Sequence, residues 1–126
     1  MALQSRLFRD EKKLQECLIR DSAHVTPGSV GDHVRRIQTA LSLIDDVRIE
    51  QFEIVMKKYG LSTANAVLAY KRQRKIINSS YQTQADNIVG KMTIAALDQE
   101  LVNLERSAVV KDIECQFLGT LKTKNT

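Results

Sequence analysis

Two histidines, His24 and His33, and three acids, Asp32, Asp45 and Asp46, are the residue types of a general base and its orienting carboxylate, should folding bring them together. An isolated histidine near a turn is more commonly a polar surface residue, and no spacing ties these five together. Cys17 would be a nucleophile only if exposed and activated; on the apolar face of a helix it reads as a small core residue. The chain holds no Gly-x-Ser-x-Gly elbow, no His-Glu-x-x-His, no paired-cysteine metal motif and no phosphate-cradling glycine loop. No catalytic residue, metal or cofactor is therefore expected. The remaining chemistry is charge. Lys71-Arg72-Gln73-Arg74-Lys75 is the densest basic run, and on a helix it covers more than one face. It reads either as a solvated helix end or as a contact for an anion.

The elements that must carry these residues are bounded by composition. With 126 residues, 43% of them hydrophobic and 27% charged, the chain makes one soluble-type domain with a modest core. Aromatics are only 5% and Trp is absent, so that core is aliphatic. One Pro and five Gly leave long breaker-free stretches that favour helix. A net charge of +4 suits an anionic partner without selecting one. The start, "MALQSRLFRDEKKLQ", has no apolar stretch behind a basic one, so no export leader is read and the chain is expected to be cytoplasmic as synthesised. No apolar run approaches a membrane span, and no membrane contact is expected. Cys17 and Cys115 are then expected as reduced thiols.

Helical periodicity recurs along the chain. Asp10 is a candidate N-cap for "EKKLQECLIRD", whose Leu14, Cys17 and Leu18 share a face. Pro27-Gly28 is turn chemistry, and Ser29 with Asp32 resembles a capping box. The helix that follows carries Val34, Ile37, Leu41 and Ile44 inward, with Arg35, Arg36 and Gln38 on other faces. Ile49, Phe52, Met56 and Tyr59 give a third inward stripe, which Gly60 ends. Ala66, Val67 and Tyr70 face inward from the next helix. "NSSYQTQADN" is a polar loop, and a last helix after Gly90 carries Thr93, Leu97, Leu101 and Leu104 on one stripe. From Ser107 the pattern is ambiguous: "IECQF" alternates, yet Val110, Ile113 and Phe117 fit a helical face.

Two nonapeptides, "YGLSTANAV" (59–67) and "VGKMTIAAL" (89–97), share one pattern: apolar, Gly, two residues, Thr, two residues, Ala, then Val or Leu. Glycine tolerates left-handed angles and lets another chain approach closely. Thr63 and Thr93 would sit in the first turn of a new helix, where a hydroxyl can serve unpaired backbone groups. Gly60, Thr63, Gly90 and Thr93 are thus expected as scaffold, two tight corners that set short helices around one core.

The pattern also resembles the peptidoglycan-binding domains that accompany many cell-wall hydrolases. Gly31, Val34, Ile37-Gln38 and Leu41 match a first block; Tyr59-Gly60, Thr63, Ala66-Val67 and Tyr70 a second; Asp86, Ile88-Val89-Gly90, Thr93 and Ala96-Leu97 a third. The three blocks stand in the family's order. Lys71 replaces a usual Gln, Asn87 a usual Gly (Asn being tolerable there if φ is positive), and the stretches 41–59 and 70–86 are longer than expected. The resemblance implies an all-α, compact bundle of short helices: a three-helix core over about 29–101 inside a single domain 1–106, with an extra N-terminal helix and an irregular tail over 107–126. It also implies a non-catalytic module that adsorbs wall glycan and peptide in a groove between the corners at Gly60 and Gly90. Such a groove needs an aromatic wall, amide or hydroxyl partners and a cation; Gln38, Tyr59, Tyr70, Arg74 and Asn87 are the candidates, with Tyr81 on the polar loop. A wall binder must reach the wall, by lysis or a specialised secretion machine. The alternative is a protein–protein adaptor, or a structural accessory of a secretion or phage-like assembly, that docks through the N-terminal helix or the apolar tail residues Val109, Val110, Ile113 and Phe117. Nucleic acid is a weaker partner, for no recognised binding motif accompanies the basic run.

Overall fold

The computed structural model describes residues 2–77 and 86–118, with side chains as far as Arg106 apart from that of Asp21. Five α-helices follow one another: α1 Lys12–Ile19, α2 Asp32–Asp45, α3 Gln51–Met56, α4 Leu61–Arg74 and α5 Lys91–Leu118, with a 3-10 turn at Asp21–Ala23. The molecule is the all-α bundle that its periodicity predicts. Among the described residues there is no strand, only two isolated antiparallel bridges, Val25 with Val89 and Val30 with Lys58.

Helices α2, α4 and α5 enclose the core. Val34, Ile37 and Leu41 from α2, Val67 and Tyr70 from α4, and Ile94, Leu97 and Leu101 from α5 are all buried. The N-terminal stretch belongs to the same core: Leu3, Phe8, Leu14 and Cys17 are buried with it. Side chains of α5 tie that stretch down. The Asp98 carboxylate accepts from the amides of Gln4 (2.9 Å) and Ser5 (2.8 Å), and Glu105 accepts from Arg6 N at 2.9 Å. The apolar face of α1 is thus spent inside the domain, which leaves little of it to offer a partner.

Several local expectations are revised. Glu11, not Asp10, caps α1, its carboxylate accepting from Lys13 N at 3.2 Å; Asp10 instead pairs with Arg36 at 2.6 Å. The Ser29–Asp32 capping box does not form. Gly31 is the N-cap of α2 without a side-chain cap, and Ser29 closes the preceding turn, where its N donates to Thr26 O at 3.1 Å and its hydroxyl accepts from Thr26 N at 3.3 Å. Gly28, with φ of 96°, supplies the left-handed position that such a Pro-Gly turn needs.

The stripe through α3 is the largest revision. Ile49 and Tyr59 are buried, but Phe52 and Met56 lie outside, 64% and 53% exposed, and Glu53 is buried in their place. Gln38, read as lying off the core face of α2, is buried too. In α5, Thr93, Leu97 and Leu101 face inward while Leu104 is exposed. The irregular tail expected from Ser107 is helix as far as Leu118, so the backbone there follows the helical period and not the alternating one.

Candidate binding site

Both nonapeptides form corners of the same construction. Tyr59 and Val89, the residues before the glycines, bond through their backbones to one short segment, residues 25–29. Tyr59 N donates to Ser29 O and Tyr59 O accepts from Gly28 N, both at 2.8 Å. Val89 exchanges two bonds of 2.9 Å with Val25. Each glycine carbonyl then accepts the first bond of a new helix, from Ala64 N at 2.9 Å and from Ile94 N at 3.0 Å. Burial repeats as well: the first, fifth, sixth and ninth residues are buried in both (Tyr59, Thr63, Ala64, Val67; Val89, Thr93, Ile94, Leu97). The chain's own 25–29 segment thus ties together the two corners between which the ligand groove was expected.

The glycines are needed for room, not for left-handed angles. Gly60 has φ of −98°. A Cβ at Gly60 would stand 2.6 Å from Cδ of Glu53, and one at Gly90 3.1 Å from Nε2 of His24. The first contact marks a built polar site. Glu53 reaches across from α3 and caps α4: its carboxylate accepts from Ser62 N (3.0 Å), Thr63 N (2.9 Å) and Thr63 Oγ1 (2.7 Å). Burial alone would raise this acid, but the hydroxyls and amides of Ser62 and Thr63 outweigh it and hold Glu53 down at about 2. Thr63 therefore serves a carboxylate, not the backbone. Gln38 completes the cluster, its Nε2 donating to Lys58 O and Thr63 Oγ1, each at 3.0 Å.

Two further clusters follow. Tyr59 crosses from the first corner to donate its hydroxyl to Asn87 O, just ahead of the second. Lys71, buried, pairs with Asp86 and donates to Ile88 O at 2.8 Å. Both departures from the family pattern thus acquire a structural setting. Lys71 holds the start of the third block, and Asn87 is not among the positive-φ residues, so no glycine-like angle is required there. On the far side of α4, Arg74 lies 3.8 Å over the Tyr70 ring. Its guanidinium bonds Asp45 Oδ1 at 2.9 Å, Glu100 Oε2 at 2.6 Å and Glu100 Oε1 at 2.8 Å, while Tyr70 Oη donates to Glu100 at 2.5 Å. Hydrogen bonding to Arg74 holds Glu100 below the usual carboxylate range, and burial pushes the Tyr70 hydroxyl up. An acid kept ionised in this way has no proton to donate near neutrality.

Of the candidate ligand residues, the structure joins Tyr70 with Arg74 and Tyr59 with Asn87, and sets Gln38 in the Glu53 cluster. It does not assemble all five on one wall. Gln38, Tyr59 and Tyr70 are at most 1% exposed; Asn87 and Arg74 are half-buried. Tyr81 lies outside the described residues. Sequence reasoning missed Glu53 and Glu100, and named Asp45 only as a partner for a histidine, whereas it bonds Arg74. For Glu53 a clue existed: α4 begins Leu-Ser-Thr-Ala with no acid in its first turn, so an anion to complement that end had to come from elsewhere. Asp45 and Glu100 carry no local signature.

Two open cavities flank these clusters. One, of 270 Å³, is lined by Ile44, Glu100, Asn103 and Leu104. The other, of 210 Å³, is lined by Lys13, Glu16, Ala23, His24, Val25 and His33. His33 is the only one of the two histidines that lies beside Asp32 in sequence, and burial, then Lys13, lowers its affinity for a proton. Among the described residues no group of three or more His, Cys, Asp or Glu is set to hold a metal ion, and no helix is long and apolar enough to cross a membrane. Comparison of the chain with protein-family models, with curated proteins and with solved structures finds no match.

Proposed function

We propose that the chain is a non-catalytic module that binds peptidoglycan. What carries this reading is that the three blocks resembling the wall-binding family fall in order on α2, α4 and α5, with both glycines heading helices built alike. Residues 25–29 bond to both corners, and the contact surface is the open 270 Å³ cavity beside Arg74. Ile44 and Leu104 give it an apolar side suited to a sugar face, while Glu100 and Asn103 supply acceptors and an amide for hydroxyl and acetamido groups. Binding there is adsorption, with no bond made or broken. The test is retention of the purified chain on protein-free sacculi at low and high salt. Retention that survives high salt and falls on Asn103→Leu substitution supports a built contact, since charge adsorption is screened away. No retention at low salt removes the proposal.

A second reading, a protein–protein adaptor, is favoured by one observation. Phe52, Val55 and Met56 on α3, and Leu61 at the start of α4, are each more than half exposed. Solvent-facing apolar side chains gathered on one short helix mark interaction surfaces more often than wall contacts. Absence from sacculi, together with self-association in light scattering that Phe52→Ser abolishes, would favour it. A chain ended at Arg106 tests the rest of α5: loss of association marks a docking helix, and loss of stability marks one packed on its own core.

A further inference from the structure

The 210 Å³ cavity between α1, the segment after it and the start of α2 lies apart from the Arg74 cluster and has its own chemistry. Lys13 and Glu16 stand three residues apart on α1, the spacing at which opposite charges on a helix meet. Among the described residues neither is engaged in an ion pair, and both line the cavity. The opposite wall is His33, in the first turn of α2 and only 8% exposed. Burial and the nearby Lys13 keep its imidazole neutral near pH 7, so it offers a hydrogen bond without charge. The volume is below the roughly 300 Å³ at which drug-sized pockets begin, so the occupant is small. An anion alone would leave Glu16 opposed, and a cation alone would leave Lys13 opposed.

We infer that this cavity binds an α-amino carboxylate group, its carboxylate on Lys13, its ammonium on Glu16, with His33 as a hydrogen-bonding wall. Wall peptides present such a group on their diamino-acid side chains, and free amino acids carry the same one. The assignment deepens the wall-binding proposal and rests on it for the source of the group, not for the chemistry.

The experiment is an NMR titration of the ¹⁵N-labelled full chain with meso-diaminopimelate, glycine, N-acetylglycine and glycinamide. Saturable shifts at the amides of Ala23, Val25 and His33 are expected with the first two. N-acetylglycine, which lacks the ammonium, and glycinamide, which lacks the carboxylate, should bind at least roughly tenfold more weakly. Lys13→Met and Glu16→Gln, on exposed and half-exposed positions that leave the core intact, should each weaken diaminopimelate by a similar factor with unchanged thermal unfolding. Equal binding of glycine and N-acetylglycine, or indifference to both substitutions, overturns the site. Sacculus retention unaffected by Glu16→Gln removes the wall as the source of the group while leaving the wall proposal standing. Diaminopimelate binding without sacculus retention leaves the site and removes the wall as its source, and stronger binding of glycine than of diaminopimelate points to a free amino acid.

Discussion

The corners at Gly60 and Gly90 share a sequence pattern, a burial pattern and a common strut in residues 25–29, yet they are held by different forces. At Gly60 the space left by the missing Cβ is filled by a carboxylate, and the corner is fastened by charge-assisted hydrogen bonds that Ser62 and Thr63 donate to Glu53. At Gly90 it is filled by the His24 ring, and the corner rests on the Val25–Val89 bridge over the buried Cys17, Leu97 and Ile94. One pattern, then, specifies where a helix turns but not what holds the turn. The fastening comes from whichever element is packed on the glycine: α3 in one case, the segment after α1 in the other.

Removing the polar fastening should have the largest effect. Glu53→Ala leaves two amides and a hydroxyl without their acceptor beneath a buried surface, and is expected to cost about 3 kcal/mol of unfolding free energy, measured by urea titration. The same group gives the first corner an acid limit. Glu53 is depressed from 4.5 to about 2 in the folded chain, so its contribution is fully present above pH 4.5 and is lost as pH falls toward 2. Protonation thus withdraws about 3 kcal/mol across that window. The stability gap between the native chain and Glu53→Ala should accordingly close between pH 4.5 and pH 2. A constant gap would mean that the carboxylate charge is not what fastens the corner.

Adding a methyl group at each glycine compares the two directly. Gly60→Ala drives a Cβ into the Glu53 carboxyl, which cannot swing away without dropping its three bonds, and should cost about 2 kcal/mol. Gly90→Ala meets only the edge of an imidazole on a half-buried loop, at 3.1–3.4 Å, and should cost about 1 kcal/mol or less. Combining each with Glu53→Ala sharpens the test. Gly60→Ala should become nearly harmless in that background, and Gly90→Ala should keep its full cost.

How much of this was legible depended on whether a contact was local. The helices, the two glycine corners and the inward placing of Ala66, Val67, Tyr70, Thr93, Leu97 and Leu101 follow from periodicity, because a helical face is written in steps of three and four. The face of α3 was not legible. Phe52 and Met56 outscore Glu53 on hydrophobicity, but α3 has only six residues, and the demand of α4 for an anion at its first turn settled its orientation. Gln38 was misread for the same reason: its amide is buried because Lys58 O and Thr63 Oγ1, from beyond two turns, come to meet it. The Arg74 cluster joins residues 26 and 29 apart in sequence, a distance over which no pattern in one chain announces a partner. Tyr70 and Arg74 were found as site candidates, but the pairing of Arg74 with Asp45 and Glu100 was not.

The smallest expected effect separates the corners kinetically. In a Cys115→Ser background Cys17 is the one thiol left. It is fully buried, donates to Val89 O at 3.3 Å, and is pushed up to about 11 by burial, so it should react with disulfide reagents only when the chain opens. Its acceptor is the residue before Gly90, so the opening that frees it is separation of the Val25–Val89 bridge, a motion of the second corner that leaves the Glu53 cap closed. Gly90→Ala, at about 1 kcal/mol, should therefore speed Cys17 labelling roughly fivefold. Gly60→Ala should change the rate less, although it costs more overall stability. The reverse order would mean that the thiol is reached only through whole-domain unfolding, and that the two corners, for all their different fastenings, open as one unit.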